Sequence, residues 1–134
     1  MMISGNISIL LVDDDVDDQE IFQLTMQDTG TGVECEFASD GIQALEKLGG
    51  GAYEPHLIFI DINMPKMNGM ELLAELKQNP WLTQTPIYIY STSDQKDIVT
   101  KCMELGASGF MKKSPDIEEL RREFSQVIGN RLAL

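Results

Sequence analysis

A chain of 134 residues, 43% of them apolar, can bury one real core and is most simply one domain. Its 22 acidic against 10 basic side chains leave a formal charge of -12, which argues against nucleic acid or an anionic membrane as partner and suits a basic protein surface or cations. Cys35 and Cys102 lack the paired spacing of a zinc or redox site, no signal-peptide pattern opens the chain, and no apolar run approaches the ~20 residues that span a bilayer, so a reducing, cytoplasmic setting is expected.

Ile7–Val12 is a run rich in Ile, Leu and Val that fits a strand buried on both faces. The stretch from about Val16 to Thr29 reads as a helix with Ile21, Phe22, Leu24 and Met26 on a loose apolar side, broken at "TGTG". "VECEFA" alternates apolar and acidic residues, as a strand nearer a sheet edge does. Asp40–Leu48 is helical, with Ala44, Leu45 and Leu48 on one face, and "GGGAYEP" stops it. "HLIFID" is a second fully apolar strand and ends on Asp61. "NMPKMNG" is a loop by its Pro and Asn-Gly content, followed by a helix over Gly69–Gln78 with Leu72, Leu73 and Leu76 inward.

"NPWLTQTP" connects to the β-branched and aromatic strand "IYIYST". Asp94 is placed to cap a helix carrying Ile98, Cys102 and Leu105 at i, i+4 and i+7. "SGFMK" is a short strand. Ser114 and Pro115 then supply an N-cap and a first-turn proline to a last helix that buries Ile117, Leu120, Phe124, Val127 and Ile128, with Asp116, Glu118 and Glu119 at its favourable end. Five strands alternating with five helices imply an α/β fold: a parallel sheet with right-handed crossovers and helices on both faces.

The apolar strand at Ile7–Val12 runs into five carboxylates separated by one valine, "DDDVDD". An EF-hand reading puts Asp13, Asp15 and Asp17 at the first ligand positions. It fails at Asp18, where the loop needs glycine, and at Leu24, where it needs a bidentate glutamate. Asp17, Asp18 and Glu20 fit a solvated first turn at the positive end of a helix. Asp15 fits either case and stands outside the site. Asp13 and Asp14 differ because they end a buried strand, and in open α/β sheets that edge is where ligands bind. Asp61 ends the other apolar strand in the same way. If the two strands are neighbours, three carboxylates converge. Two unit charges ~4 Å apart repel by about 4 kcal/mol at an effective dielectric of about 20, a cost a divalent cation relieves. Oxygen-only ligands suit Mg²⁺.

"LLVDDD", "FIDINMPKMNG", "PIYIYST" and "GASGFMKK", in this order and spacing, resemble the receiver domain of bacterial two-component response regulators, from about Ile7 to Ile128. The resemblance implies a doubly wound (βα)5 fold with flavodoxin-like strand order 2-1-3-4-5. It implies one receiver over residues 1–134 without an output domain, similar to the stand-alone chemotaxis regulators. By that likeness Asp61 is the phosphoacceptor, charged by a sensor histidine kinase or a phosphotransfer protein. Asp14 binds Mg²⁺ directly, Asp13 largely through water, and Asn63 through its backbone carbonyl. Ser91 matches the hydroxyl that bonds the phosphoryl group, Lys113 the lysine that pairs with it, and Phe110 the switch aromatic that signals to a downstream protein. The only chemistry implied is the chain's own phosphorylation and dephosphorylation.

Each of these residues has a competitor. Lys112 competes with Lys113, since alternation lets one point inward, and the family spacing favours Lys113. Thr92 competes with Ser91 and falls where the family has a small residue. Phe110 also reads as plain core. The family usually places a cis proline directly after the lysine. Here Ser114 stands there and Pro115 follows, which leaves the loop and the placement of Lys113 open. An aspartyl-nucleophile phosphohydrolase of the haloacid-dehalogenase type needs an acid two residues after Asp61, and Asn63 cannot serve. A degenerate, phosphorylation-independent receiver conflicts with the full set Asp13, Asp14, Asp61, Ser91 and Lys113.

Overall fold

The computed structural model describes residues 7–27, 32–64 and 66–132. Its strands are β1 (Ile7–Val12), β2 (Val33–Ala38), β3 (Leu57–Ile60), β4 (Ile87–Ser91) and β5 (Gly109–Lys112). Between and after them lie α1 (Val16–Gln27), α2 (Gly41–Leu48), α3 (Gly69–Lys77), α4 (Lys96–Glu104) and α5 (Ile117–Leu132). All neighbouring strands pair in parallel in the order β2-β1-β3-β4-β5. The alternating strand β2 is an edge, and the apolar β1 and β3 are adjacent at the centre, where both faces need cover.

Alternation along each strand divides the core in two. Leu10, Val12, Ile58, Ile60, Ile87 and Ile89 pack with Ala44, Leu48, Leu72, Leu73, Leu76 and Cys102, so α2, α3 and α4 cover one face. Ile9, Leu11, Leu57, Phe59 and Tyr90 pack with Phe22, Met26, Leu120, Phe124 and Ile128, so α1 and α5 cover the other. On this second face Phe124 meets Phe22, Phe59 and Tyr90 at ring separations of 5.0, 5.4 and 5.6 Å.

Several helix details depart from the sequence reading. In α1 the inward stripe is Phe22, Thr25 and Met26, and Leu24 is 63% exposed because two residues past Phe22 lies on the far side of a helix. Thr25 is tolerated inside because its hydroxyl donates to the Ile21 carbonyl at 2.7 Å. The expected helix end at Thr29 lies outside the described residues. A short 3-10 turn at Pro80–Leu82 sits within the connector, capped by Asn79.

Asp94 does not cap α4. The helix starts at Lys96 with Gln95 at the cap position, too far on for the Asp94 carboxylate, which pairs with Lys112 at 3.3 Å instead. Neither Ser114 nor Pro115 starts α5. Asp116 accepts from the amides of Glu118 and Glu119 at 3.0 and 3.3 Å, and Ser114 accepts from the Asp116 amide at 3.1 Å. Ile117, in the first turn, stays 40% exposed rather than joining Leu120, Phe124 and Ile128 inside, and Val127 is half-buried.

Candidate functional site

The site forms where β1 and β3 end. Parallel pairing sets the strand ends level: the Asp13 amide donates to Ala38 O at 3.0 Å and the Asp61 amide to Val12 O at 2.9 Å. One carboxylate oxygen from each of Asp13, Asp14 and Asp61 lies within 4.8 Å of the others. Asp13 and Asp61 are buried and Asp14 is exposed. A loop separates β3 from α3, and at the start of α3 Gly69 is packed so tightly against Asp61 that a Cβ there would sit 2.3 Å from the Asp61 carbonyl oxygen. Asn68 and Glu71 close a reciprocal capping box on the same helix start.

Lys113 enters from the end of β5. Its amide donates to Ser91 O at 2.8 Å, fixing the backbone beside β4, and its Nζ lies 5.4 Å from the centroid of the Tyr90 ring. Three carboxylates surround that ammonium: Asp18 at 2.6 Å, Asp13 at 2.8 Å and Asp61 at 3.4 Å. Lys112 points outward and is exposed, so Lys113 is the inward lysine. No cis peptide bond occurs among the described residues, and Lys113 reaches the carboxylates with Ser114 after it.

Burial pushes the Asp13 carboxyl up to about 6, against the pull of Lys113 and of the Asp15 amide that donates to it at 2.9 Å. Burial likewise raises Asp61, with the charge of Asp14 adding to the effect and Lys113 opposing it. Burial alone would lower the Lys113 pKa; its contacts with Asp13 and Asp18 overcome that and raise it. The cluster is therefore a strained set of like charges with one cation against it. Asp13 Oδ2 is fully buried, and the Lys113 ammonium at 2.8 Å is the partner it has there. Three carboxylates with oxygens within 4.8 Å of one another and a single lysine against them fit a divalent cation as further counter-charge.

Ser91 and Thr92 are now distinct. Ser91 is fully buried, its hydroxyl accepting from the Ser93 amide at 3.3 Å, whereas Thr92 is exposed. Ser91 continues the Ile87–Ile89 face of β4, and Phe110 packs half-buried against that same face from β5. Asn63 lies exposed in the loop after Asp61.

Two carboxylates have roles that the sequence reading did not assign. Asp15 caps α1, accepting from the Asp17 and Asp18 amides at 2.9 and 3.4 Å. Asp18 is no freely solvated first-turn acid, because it hydrogen-bonds Lys113 at 2.6 Å. The available signal was phase: Asp18 is four residues before the buried Phe22 and so shares its inward face.

Known proteins match this arrangement. The family model for the response regulator receiver domain matches residues 9–125. Response regulator Rcp1 of Synechocystis is 36% identical over 117 residues, covering 84% of this chain and 80% of that protein. The structure of its manganese-bound form superposes with a TM-score of 0.80 at 31% identity, covering 91% of each chain. The phosphorylated cyanobacterial phytochrome response regulator RcpA gives a TM-score of 0.86 at 28% identity, over 96% of this chain and 95% of that one. The Regulator of RpoS of Escherichia coli is 32% identical over 109 residues, and there the match spans only 31% of the protein's length. With its five-stranded order, its carboxylate cluster and a family match over nearly its whole length, the chain belongs to the response regulator receiver family, whose members are signalling modules.

Proposed function

We propose that the protein is a free-standing receiver in which Asp61 accepts a phosphoryl group and switches a partner-binding face. The observation that carries this reading is Asp61 itself: a buried carboxylate at a strand end, clustered with Asp13 and Asp14 and 3.4 Å from a lysine. The free-standing part rests on Rcp1, of which this chain matches 80%. Phosphoryl transfer asks a protein for an in-line acceptor and for charge neutralisation. An Asp61 carboxylate oxygen attacks phosphorus of a phosphohistidine on a kinase or phosphotransfer protein. The phosphorus–nitrogen bond breaks, and the imidazole keeps the electron pair and takes a proton from solvent. Lys113 offsets charge on the incoming group.

Asp13, Asp14, Asp61 and the Asn63 backbone carbonyl are the groups that would hold Mg²⁺. When bound, the ion neutralises charge on the phosphoryl oxygens. The acyl phosphate carries up to about two negative charges beside β4 where the carboxylate carried one, and it adds strong acceptor oxygens. Ser91, rather than the exposed Thr92, then donates its hydroxyl to the group. Movement of Ser91 changes the face it shares with Phe110 and so the surface of α4, β5 and α5 that a downstream protein reads.

Intact-mass measurement after incubation with Mg²⁺ and a small phosphodonor tests the reading, followed by borohydride reduction and peptide mapping. The mark is expected on Asp61 and absent from Asp61→Asn. Label on Asp13 or Asp15, or a fully labelled Asp61→Asn, overturns it.

A further inference from the structure

We propose that Asp18 is a positioning residue for Lys113: it keeps the ammonium beside Asp61 when a divalent cation occupies the carboxylate cluster. This deepens the phosphoacceptor reading and rests on it. Lys113 Nζ contacts Asp18, Asp13 and Asp61, but the three carboxylates are not equivalent. Asp13 and Asp61 belong with Asp14 to the group able to hold a cation, and Asp18 stands outside it. Asp18 also makes the shortest of the three contacts, 2.6 Å, in hydrogen-bonding geometry.

A cation on Asp13 and Asp61 brings positive charge next to a lysine that shares those same oxygens. Like charges at such separations repel, and carboxylates committed to the ion offer the ammonium less. A lysine held by Asp13 and Asp61 alone would compete with the ion or be driven from it. Asp18 supplies a counter-charge that the ion does not claim. It is well placed to do so, being the third residue of a helix whose start is capped by Asp15 and whose next inward turn carries the core residue Phe22. The lysine is restrained at its backbone by the Ser91 carbonyl, and its ammonium lies over the Tyr90 ring. Asp18 thus fixes the remaining freedom of the charged tip and lets cation and lysine occupy one pocket.

The test is a double-mutant cycle on Mg²⁺ affinity by calorimetry, using the whole protein. Asp18→Asn is expected to weaken Mg²⁺ binding roughly fivefold or more while Lys113 is present, as the released ammonium moves onto Asp13 and Asp61. In Lys113→Ala the same change is expected to cost less than about twofold, because a partly exposed charge outside the cluster is screened. Asp18→Glu, which keeps the charge, should recover part of the loss. The Cε resonance of Lys113 in lysine-labelled protein gives a second reading: Mg²⁺ should shift it strongly in Asp18→Asn and little in wild type. Equal losses in the two backgrounds overturn the proposal, since Asp18 would then act on the cation by charge alone. No loss in either background overturns it as well. A wild type that takes up no Mg²⁺ overturns the phosphoacceptor reading and this one with it. Normal Mg²⁺ uptake and Asp61 labelling with zero coupling overturn the role of Asp18 alone.

Discussion

Asp13 is held at a pKa of about 6 by burial, against 3.8 for an unperturbed carboxyl. A folded-state pKa raised above the unfolded one means that the native state favours the protonated form. Its contribution to stability is fully present below pH 3.8 and is lost as pH rises through about 6. In chelator, the burial of ionised Asp13 therefore weighs against the folded state at neutral pH, with the Lys113 contact opposing it. Asp13→Asn is expected to melt higher than wild type at pH 7 without metal, with the advantage shrinking between pH 6 and 4; thermal melts across that range check it. Mg²⁺ should reverse the order, since it stabilises whichever protein binds it by mass action. A variant that melts lower than wild type at pH 7 in chelator would show that the Lys113 contact outweighs burial. At this scale the sequence carried the phosphoacceptor candidate plainly, because a carboxylate ending an apolar strand is costly to bury unless a cation or a ligand meets it there. Only the family spacing prefers Ser91 to Thr92, and Asp18 reads as a solvated acid although its helix phase puts it on the Phe22 side. Which way a side chain points at a strand or helix end is settled by packing.

Among the elements, the junction of β3 and α3 is where fold and site constrain each other most closely. A methyl group at Gly69 would meet the Asp61 carbonyl oxygen at 2.3 Å and the Ile62 Cα at 2.8 Å, both backbone atoms that cannot step aside. Gly69→Ala must push α3 away from the strand or move Asp61. It is expected to cost about 1–3 kcal/mol, as overpacking does, and to slow phosphorylation of Asp61 as well. Denaturant melts and a time course of intact mass check the two effects together. A stable variant with a slow Asp61 would still fit, whereas unchanged stability and rate would mean that the junction yields easily. Element existence and order were legible from apolar periodicity and turn residues. Helix starts were less so: Asp94 and Ser114 had the right chemistry for caps, but the helices began two and three residues later, at Lys96 and Ile117. Several Asp and Ser residues near a helix start are all competent caps, and only the backbone path selects one.

Across the whole molecule, the α1–α5 face is tied together by one aromatic cluster drawn from four elements. Phe124 touches Phe22 of α1, Phe59 of β3 and Tyr90 of β4, all fully buried or nearly so. Phe124→Ala is expected to cost about 3–5 kcal/mol, the usual penalty for an emptied aromatic site. Urea melts should show a lower midpoint with an unchanged slope. Because Tyr90 also lies under the Lys113 ammonium, the same variant should loosen the lysine at the far end of the cluster. No helix among the described residues is long and apolar enough to cross a membrane.

The sequence by itself determined the number and order of strands and helices, the edge position of β2 and the presence of three acids at strand ends. These follow from local periodicity and from the physics of burying an apolar strand on both faces. Only the tertiary structure decided which acids share a pocket, because that depends on β1 and β3 being neighbours although α1, β2 and α2 separate them in the chain. It also decided that Lys113 and not Lys112 faces the carboxylates, and that Asp18 holds it from 95 residues away. Helix phase can place Asp18 on the inward side, but nothing local names Lys113 as its partner, since each is locally an ordinary polar residue at the end of its own element.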